Sequence, residues 1–277
     1  MGEVLALLSA LCFGLADFSG GLLSRRSRAE LIGFIGQVSG LLATVTASLL
    51  VAAPHVNAPS LLWGALSGIG TGIGVLFLYR GMGRGRMSVV VPLSDVGGVA
   101  LPVLAGVALL GNRPSLPAWA GIVVALPALW LIAREGGDKG NGSANGALDG
   151  LLAGIGFALQ NIALGQVDPS AGMWPIAISR LLSALTLFPA ALATPDRFRI
   201  RPRLLLPAAV TGIAAAAAIV LYTLATRQQL LAVAVVLSSL YPAIPVVLGI
   251  LLLKEKLRAS QVAGLAGAGV AIVLLAV

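Results

Sequence analysis

The stretch LYPAIPVVLGILLLKEK, residues 240–256, decides how this chain is read. An almost wholly apolar segment carries Pro242 and Pro245 near one end and Lys254-Glu255-Lys256 at the other. The same rhythm occurs earlier, in GVALPVLAGVALLGNR at 98–113. A proline removes one backbone donor and displaces the carbonyl four residues before it, so each segment offers free backbone to whatever lies beside it. Two such segments in one chain point to a bundle that was built once and copied.

Composition gives the solvent. Of 277 residues, 58% are hydrophobic and 10% are charged, with a mean hydropathy of +1.00. A soluble domain keeps about a quarter of its residues charged. This chain cannot cover a water-facing surface and is read as an integral membrane protein. The net charge of +8 does not mark a nucleic-acid binder, because the basic residues sit between apolar blocks, where they flank membrane spans. Cys12 is the single cysteine and His55 the single histidine, which leaves no disulfide framework, no metal cluster and no cofactor motif. The first apolar segment follows Met1-Gly2-Glu3 without a basic n-region, and is expected to remain in the mature protein.

A membrane helix needs about 20 apolar residues. That window selects 4–23, 31–52, 61–79, 87–110 and 116–133, then 147–165, 174–193, 205–225, 231–253 and 259–276. Between the fifth and sixth lies REGGDKGNGSANG, 134–146, read as a flexible linker. It separates a first five-helix repeat, 1–133, from a second, 147–277. A shift of 143 carries Tyr79 onto Tyr222, Arg84 onto Arg227, Pro102 onto Pro245, Gly106 onto Gly249, Asn112 onto Glu255 and Gly121 onto Gly264. A shift of 144 carries LLSALCFGLAD, 7–17, onto LLAGIGFALQN, 151–161, aligning Phe13 with Phe157. Five spans per half is an odd number, so the second half enters the membrane from the opposite face. The predicted fold is all-α, ten transmembrane helices as two inverted five-helix repeats, a plan that recurs in secondary transporters with the substrate site at the midplane. No GxxxxGK[ST] loop occurs to bind ATP.

Positive charge sets the orientation. One face collects Arg25, Arg26, Arg28, Arg80, Arg84, Arg86, Arg134, Lys139, Arg197, Arg199, Arg201, Arg203, Lys254, Lys256 and Arg258, fifteen of the 18 basic residues. That face is assigned to the cytoplasm and both termini to the outside of a cytoplasmic (inner) membrane. Trp63, Trp119 and Trp174 then begin spans at the outer interface, where membrane aromatics collect.

With its ten spans, its duplication and LSSLYPAIPVVLGILLLKEKLRASQVAGLAGAGVAIVLLA at 237–276, the chain resembles an EamA-type member of the drug/metabolite transporter superfamily. The likeness spans the whole chain and is most specific at 79–133 and 222–276. There a tyrosine, a Ser/Pro-containing helix, a charged hairpin and a Gly/Ala-rich helix follow in order. It implies a carrier for amino acids, drugs, nucleotide sugars or other small metabolites. Residues 254–256 keep the charged hairpin, whereas Gly111-Asn112-Arg113 lacks its acid. The short PHVNAPS loop, 54–60, carries no basic residue where many relatives have one, in agreement with the orientation counted above.

An ionisable side chain well inside a span is costly and marks a functional candidate. Asp17, Asp95 and Arg180 qualify. Asp17 sits at the position equivalent to Asn161, and Gln37 at the position equivalent to Arg180, so both halves place polar groups alike. An arginine facing carboxylates suits the acid group of an amino acid while an aspartate takes its ammonium; the same aspartate suits a proton. The competing reading is a structural clamp between helices. Ser94, Ser238 and Ser239 precede the proline-bearing parts of their spans, where they either meet ligand or bond their own helix. Pro92, Pro102, Pro242 and Pro245 are expected to kink their helices. Tyr79, Tyr222 and Tyr241 either wall the site or lie at the interface. The glycines of Gly64-Gly68-Gly72, Gly36-Gly40 and Gly150-Gly154 are read as helix-packing stripes, and the Gly/Ala-rich last span packs either within the bundle or against a second copy.

The function expected is a secondary carrier moving a small polar or zwitterionic metabolite, an amino-acid-like compound or drug, by alternating access, with export favoured. A channel or a structural membrane protein is the rival. A membrane enzyme would gather acids, histidine or a nucleophile at one depth, and the four glutamates lie at span ends instead.

Overall fold

A computed structural model describes residues 1–110, 115–136, 141–193, 201–228, 237–238 and 240–276. Among these residues there are ten α-helices and no strand. They are α1 (Gly2–Ser24), α2 (Ala29–Leu50), α3 (Ala58–Arg84), α4 (Met87–Leu110), α5 (Leu116–Gly136), α6 (Asn141–Leu164), α7 (Trp174–Leu192), α8 (Pro202–Gln228), α9 (Ala243–Leu253) and α10 (Ala259–Ala276). A short 3₁₀ turn, Pro169–Ala171, lies between α6 and α7. Seven helices are long and apolar enough to cross a membrane, and 116–132, 243–253 and 259–275 are shorter apolar helices. Most of the expected ninth span, 231–253, is described only from 237–238 and 240 onward, and Ser239 lies outside the described residues. Leu42, Leu49, Leu62, Val123, Leu206 and Leu251 are exposed on the outside of the bundle, where a soluble protein would place charge.

The helix ends are locally encoded. Asn57 accepts the Ser60 amide at 2.8 Å and Pro59 occupies the first turn of α3, where a missing N–H costs nothing. The α9 helix stops at Lys254, whose φ of 54° is left-handed, and the Glu255 amide turns back to the Gly249 carbonyl at 3.2 Å. That turn aims the Glu255 side chain under the neighbouring helices.

The helices pair in a pattern that repeats five helices on. α1 packs on α8, and α6 packs on α3; α2 packs on α8, and α7 packs on α3; α9 packs on α1, and α4 packs on α6. The α2–α7, α4–α9 and α5–α10 pairs map onto themselves under the same shift. Glycine makes the closest of these approaches. A Cβ at Gly68 would stand 2.7 Å from the Leu182 Cβ and 2.9 Å from the Ser179 Cα of α7, so the glycine stripe of α3 faces that helix.

The loops 25–28, 85–86 and 254–258 meet at one face of the bundle, hereafter the basic face. Beneath them an apolar plug of Phe18, Leu23, Ile32, Leu78, Met82 and Met87 is buried. Glu255 closes the plug from outside. Its carboxylate accepts the Met87 amide at 2.9 Å, the Ser88 amide at 3.0 Å and the Ser88 hydroxyl at 2.7 Å, and pairs with Arg25 at 3.3 Å. A carboxylate at the first amides of α4 complements both the free N–H groups and the helix dipole. Arg25 also donates to the carbonyls of Met82 and Gly85, each at 3.1 Å. Asp149 of α6, buried, takes Arg80 of α3 at 2.6 Å, with Arg84 at 3.8 Å.

Candidate functional site

A cavity of about 650 Å³ lies between the two halves of the chain, a size typical of small-molecule sites. It runs from Gly33, Val75 and Tyr79, above the plug, to Val167, Pro169 and Gly172 in the surface loop between α6 and α7. Of the residues singled out in the sequence, Asp17, Gln37, Tyr79, Asp95, Asn161, Arg180, Tyr222, Ser238 and Tyr241 all line it. Ser94 does not. It is buried and donates to the Val91 carbonyl of its own helix at 2.8 Å.

Positions about 143 residues apart in the sequence meet in the cavity wall. Arg180 Nη1 of α7 donates to Gln37 Oε1 of α2 at 3.0 Å, and both side chains are buried. These two residues are related by the 143-residue shift, so the bond crosses between corresponding places of the halves. Tyr79 and Tyr222, related in the same way, both face the cavity. So do Phe13 and Phe157.

Asp95 is 6% exposed, and its Oδ1 accepts the Tyr241 hydroxyl at 2.7 Å, while Oδ2 is buried without a partner. The Tyr241 ring lies 5.7 Å from that of Phe13. Asp17 projects from α1 within reach of the fields of Asp95 and Arg180, and it makes no hydrogen bond or ion pair with either. Its residue is only half-buried because the carboxylate fronts the cavity. Two acids and one base are therefore gathered in one apolar enclosure.

The prolines fall into two kinds of place. Pro92 and Pro102 lie inside α4, Pro242 stands at the start of α9, and Pro245 lies in its first turn, buried. The carbonyl that Pro102 displaces belongs to Gly98, and Asn161 Nδ2 donates to that oxygen at 2.9 Å. A backbone acceptor freed by proline in α4 is thus taken up by a cavity side chain of α6. Ser238 Oγ reaches the Ala6 carbonyl of α1 at 3.4 Å.

Several cavity residues were not singled out in the sequence. Thr71 donates to Gln160 Oε1 at 2.7 Å, which leaves the Gln160 amide N–H₂ without a partner in the wall. Ser179 pairs with Ser67 at 3.2 Å, and Thr211 with Ser19 at 2.9 Å. Gln160, polar amid an apolar run, was the one legible signal among them. Asp149 was also passed over, although it falls inside the sixth expected span.

Residues 142–277 match the model of the EamA-like transporter family. No curated protein matches the chain. A solved crystal structure superposes with a TM-score of 0.60 at 16% identity, covering 98% of this chain and 95% of that one, which shows a shared fold. The apolar helices and this match support a multi-pass membrane protein.

Proposed function

We propose, from the match of residues 142–277 to the EamA-like transporter family model, that this chain is a secondary carrier working by alternating access between two inverted five-helix repeats. The observation that carries the reading is a largely apolar cavity holding Asp17, Asp95 and Arg180 that reaches one face and is sealed at the other. The helix pairing that recurs five helices on, and the Gln37–Arg180 bond between equivalent positions, support an inverted duplication. In such a bundle the copies exchange shapes, and the sealed end passes from one face to the other.

The basic face is the cytoplasmic one on this reading, both termini lie outside, and the described state is open outward. The cargo is a small polar or zwitterionic metabolite, held between Asp17, Asp95 and Arg180 with tyrosines as walls. Export is the direction favoured. Asp95 either takes an ammonium or carries a proton, since its Oδ2 has no partner in the protein.

Counterflow in proteoliposomes tests the reading. A carrier preloaded with unlabelled cargo accelerates uptake of the labelled form, whereas a channel does not. Asp95→Asn is expected to abolish this trans-stimulation or flatten its pH dependence. Uptake without trans-stimulation, or an Asp95→Asn variant with the wild-type rate and pH profile, refutes the proposal.

A further inference from the structure

The cavity has a charge surplus, and that surplus selects among amines. We infer that this site, taken as the carrier site proposed above, prefers a monocationic amine without a free carboxylate over the zwitterion of the same skeleton. Among the described residues, the groups in the wall that carry or can carry charge are Asp17 of α1, Asp95 of α4, Arg180 of α7, and the tyrosines Tyr79, Tyr222 and Tyr241. The α2 and α6 walls contribute the neutral amides Gln37, Gln160 and Asn161. An arriving ammonium draws both acids into their ionised form, and two negative charges then face one positive charge.

The pairing of these groups sharpens the count. Arg180 is anchored by Gln37 at 3.0 Å and Asp95 by Tyr241 at 2.7 Å. Asp17 has no hydrogen bond and no ion pair, and Asp95 Oδ2 has no partner, so neither carboxylate is paired with a cation. A zwitterion brings one ammonium and one carboxylate and leaves the surplus as it was. A monocation cancels it, with its ammonium at Asp17 and its side chain against rings such as Phe13 and Tyr241. An uncompensated charge inside a protein at an effective dielectric near 20 is worth on the order of ten- to a hundredfold in affinity.

Phenylalanine and its amide, with leucine and its amide, form the matched probes. At pH 6.5, below the α-amino range, the amine is largely protonated in every one of them, so the members of each pair differ chiefly in the carboxylate. Binding is read from the thermal shift of the purified chain, and transport from counterflow. At least about tenfold tighter binding of the amides is expected. Asp17→Asn removes the surplus and is expected to reverse the preference toward the free amino acids. Equal or tighter binding of the free amino acids by the wild-type protein overturns the inference. So does an Asp17→Asn variant that keeps the amide preference, or a failure of every monocation to bind while another solute shows counterflow. Absence of counterflow for any solute, with the amide preference intact in binding, strikes the carrier reading and leaves the charge rule standing. If Asp17→Asn does not fold, Arg180→Gln provides the second arm. It raises the surplus, so the amide preference must grow, and an unchanged preference overturns the rule.

Discussion

Replacing Glu255 by glutamine isolates what holds the basic face shut. The carboxylate serves the Met87 amide, the Ser88 amide and the Ser88 hydroxyl at 2.7–3.0 Å, with Arg25 at 3.3 Å, and its side chain is 6% exposed. Glutamine offers one acceptor oxygen in place of two and sets an N–H₂ against donors. At least one buried donor then loses its acceptor, at a cost of about 1–3 kcal/mol. Loss of negative charge at the start of α4 adds about 0.3–1 kcal/mol. The Arg25 partner is 29% exposed and contributes little more. On the alternating-access reading proposed above, the sealed state is therefore weakened by an amount that moves its balance with the opened state by roughly ten- to a thousandfold. A cysteine at Met82, fully buried in the plug, reports the change in a Cys12→Ser background. Maleimide labelling from the basic face is expected to be slow in the parent and at least tenfold faster in Glu255→Gln. The variant must elute as a monodisperse species. Labelling unchanged within twofold in both Glu255→Gln and Glu255→Ala would refute the role assigned to this residue.

Three further outcomes follow from the packing. Gln37→Leu strips Arg180 of its Nη1 acceptor and is expected to lower stability by about 1–3 kcal/mol, visible as a reduced Tm in detergent; an unchanged Tm means the pair is dispensable. Gly68→Leu forces α3 off α7, because even a Cβ there stands within 2.9 Å of the Ser179 backbone, and is expected to abolish the monodisperse fraction in size-exclusion chromatography. Lys254→Gly relieves a left-handed residue and is expected to raise stability by about 1 kcal/mol; a fall in Tm would show that the lysine side chain, and not the backbone turn, matters there.

The helices were legible because lipid demands long apolar runs, and most expected spans coincide with helices to within a few residues. The differences lie at the ends. The apolar run of the third span stops at Tyr79, but the helix continues to Arg84, because arginine stems there reach Asp149. The glycine-rich stretch 134–146 reads as a linker, yet among the described residues α5 runs to Gly136 and α6 starts at Asn141. A helix that leaves the hydrocarbon needs no apolar residue to go on bonding its own backbone. In the site, charge inside an apolar helix was a usable signal, and Asp17, Asp95 and Arg180 converge. Thr71, Ser179 and Thr211 gave no such signal. Small hydroxyls often bond their own helix, as Thr71 and Thr211 also do, and only packing decides what else they face. The turn that aims Glu255 was equally hidden, since it hangs on one left-handed lysine.

The clasp made by Glu255 has a consequence for kinetics. By sequence, the position 143 residues before it is Asn112, which lies outside the described residues and carries no charge. On the alternating-access reading proposed above, this clasp gives the carrier a resting posture, with its mouth toward the compartment opposite the clasp. Solute arriving from that compartment meets a ready site. Solute arriving from the clasped side meets a site diluted by the small fraction of molecules turned its way, and its half-saturation concentration rises by the inverse of that fraction.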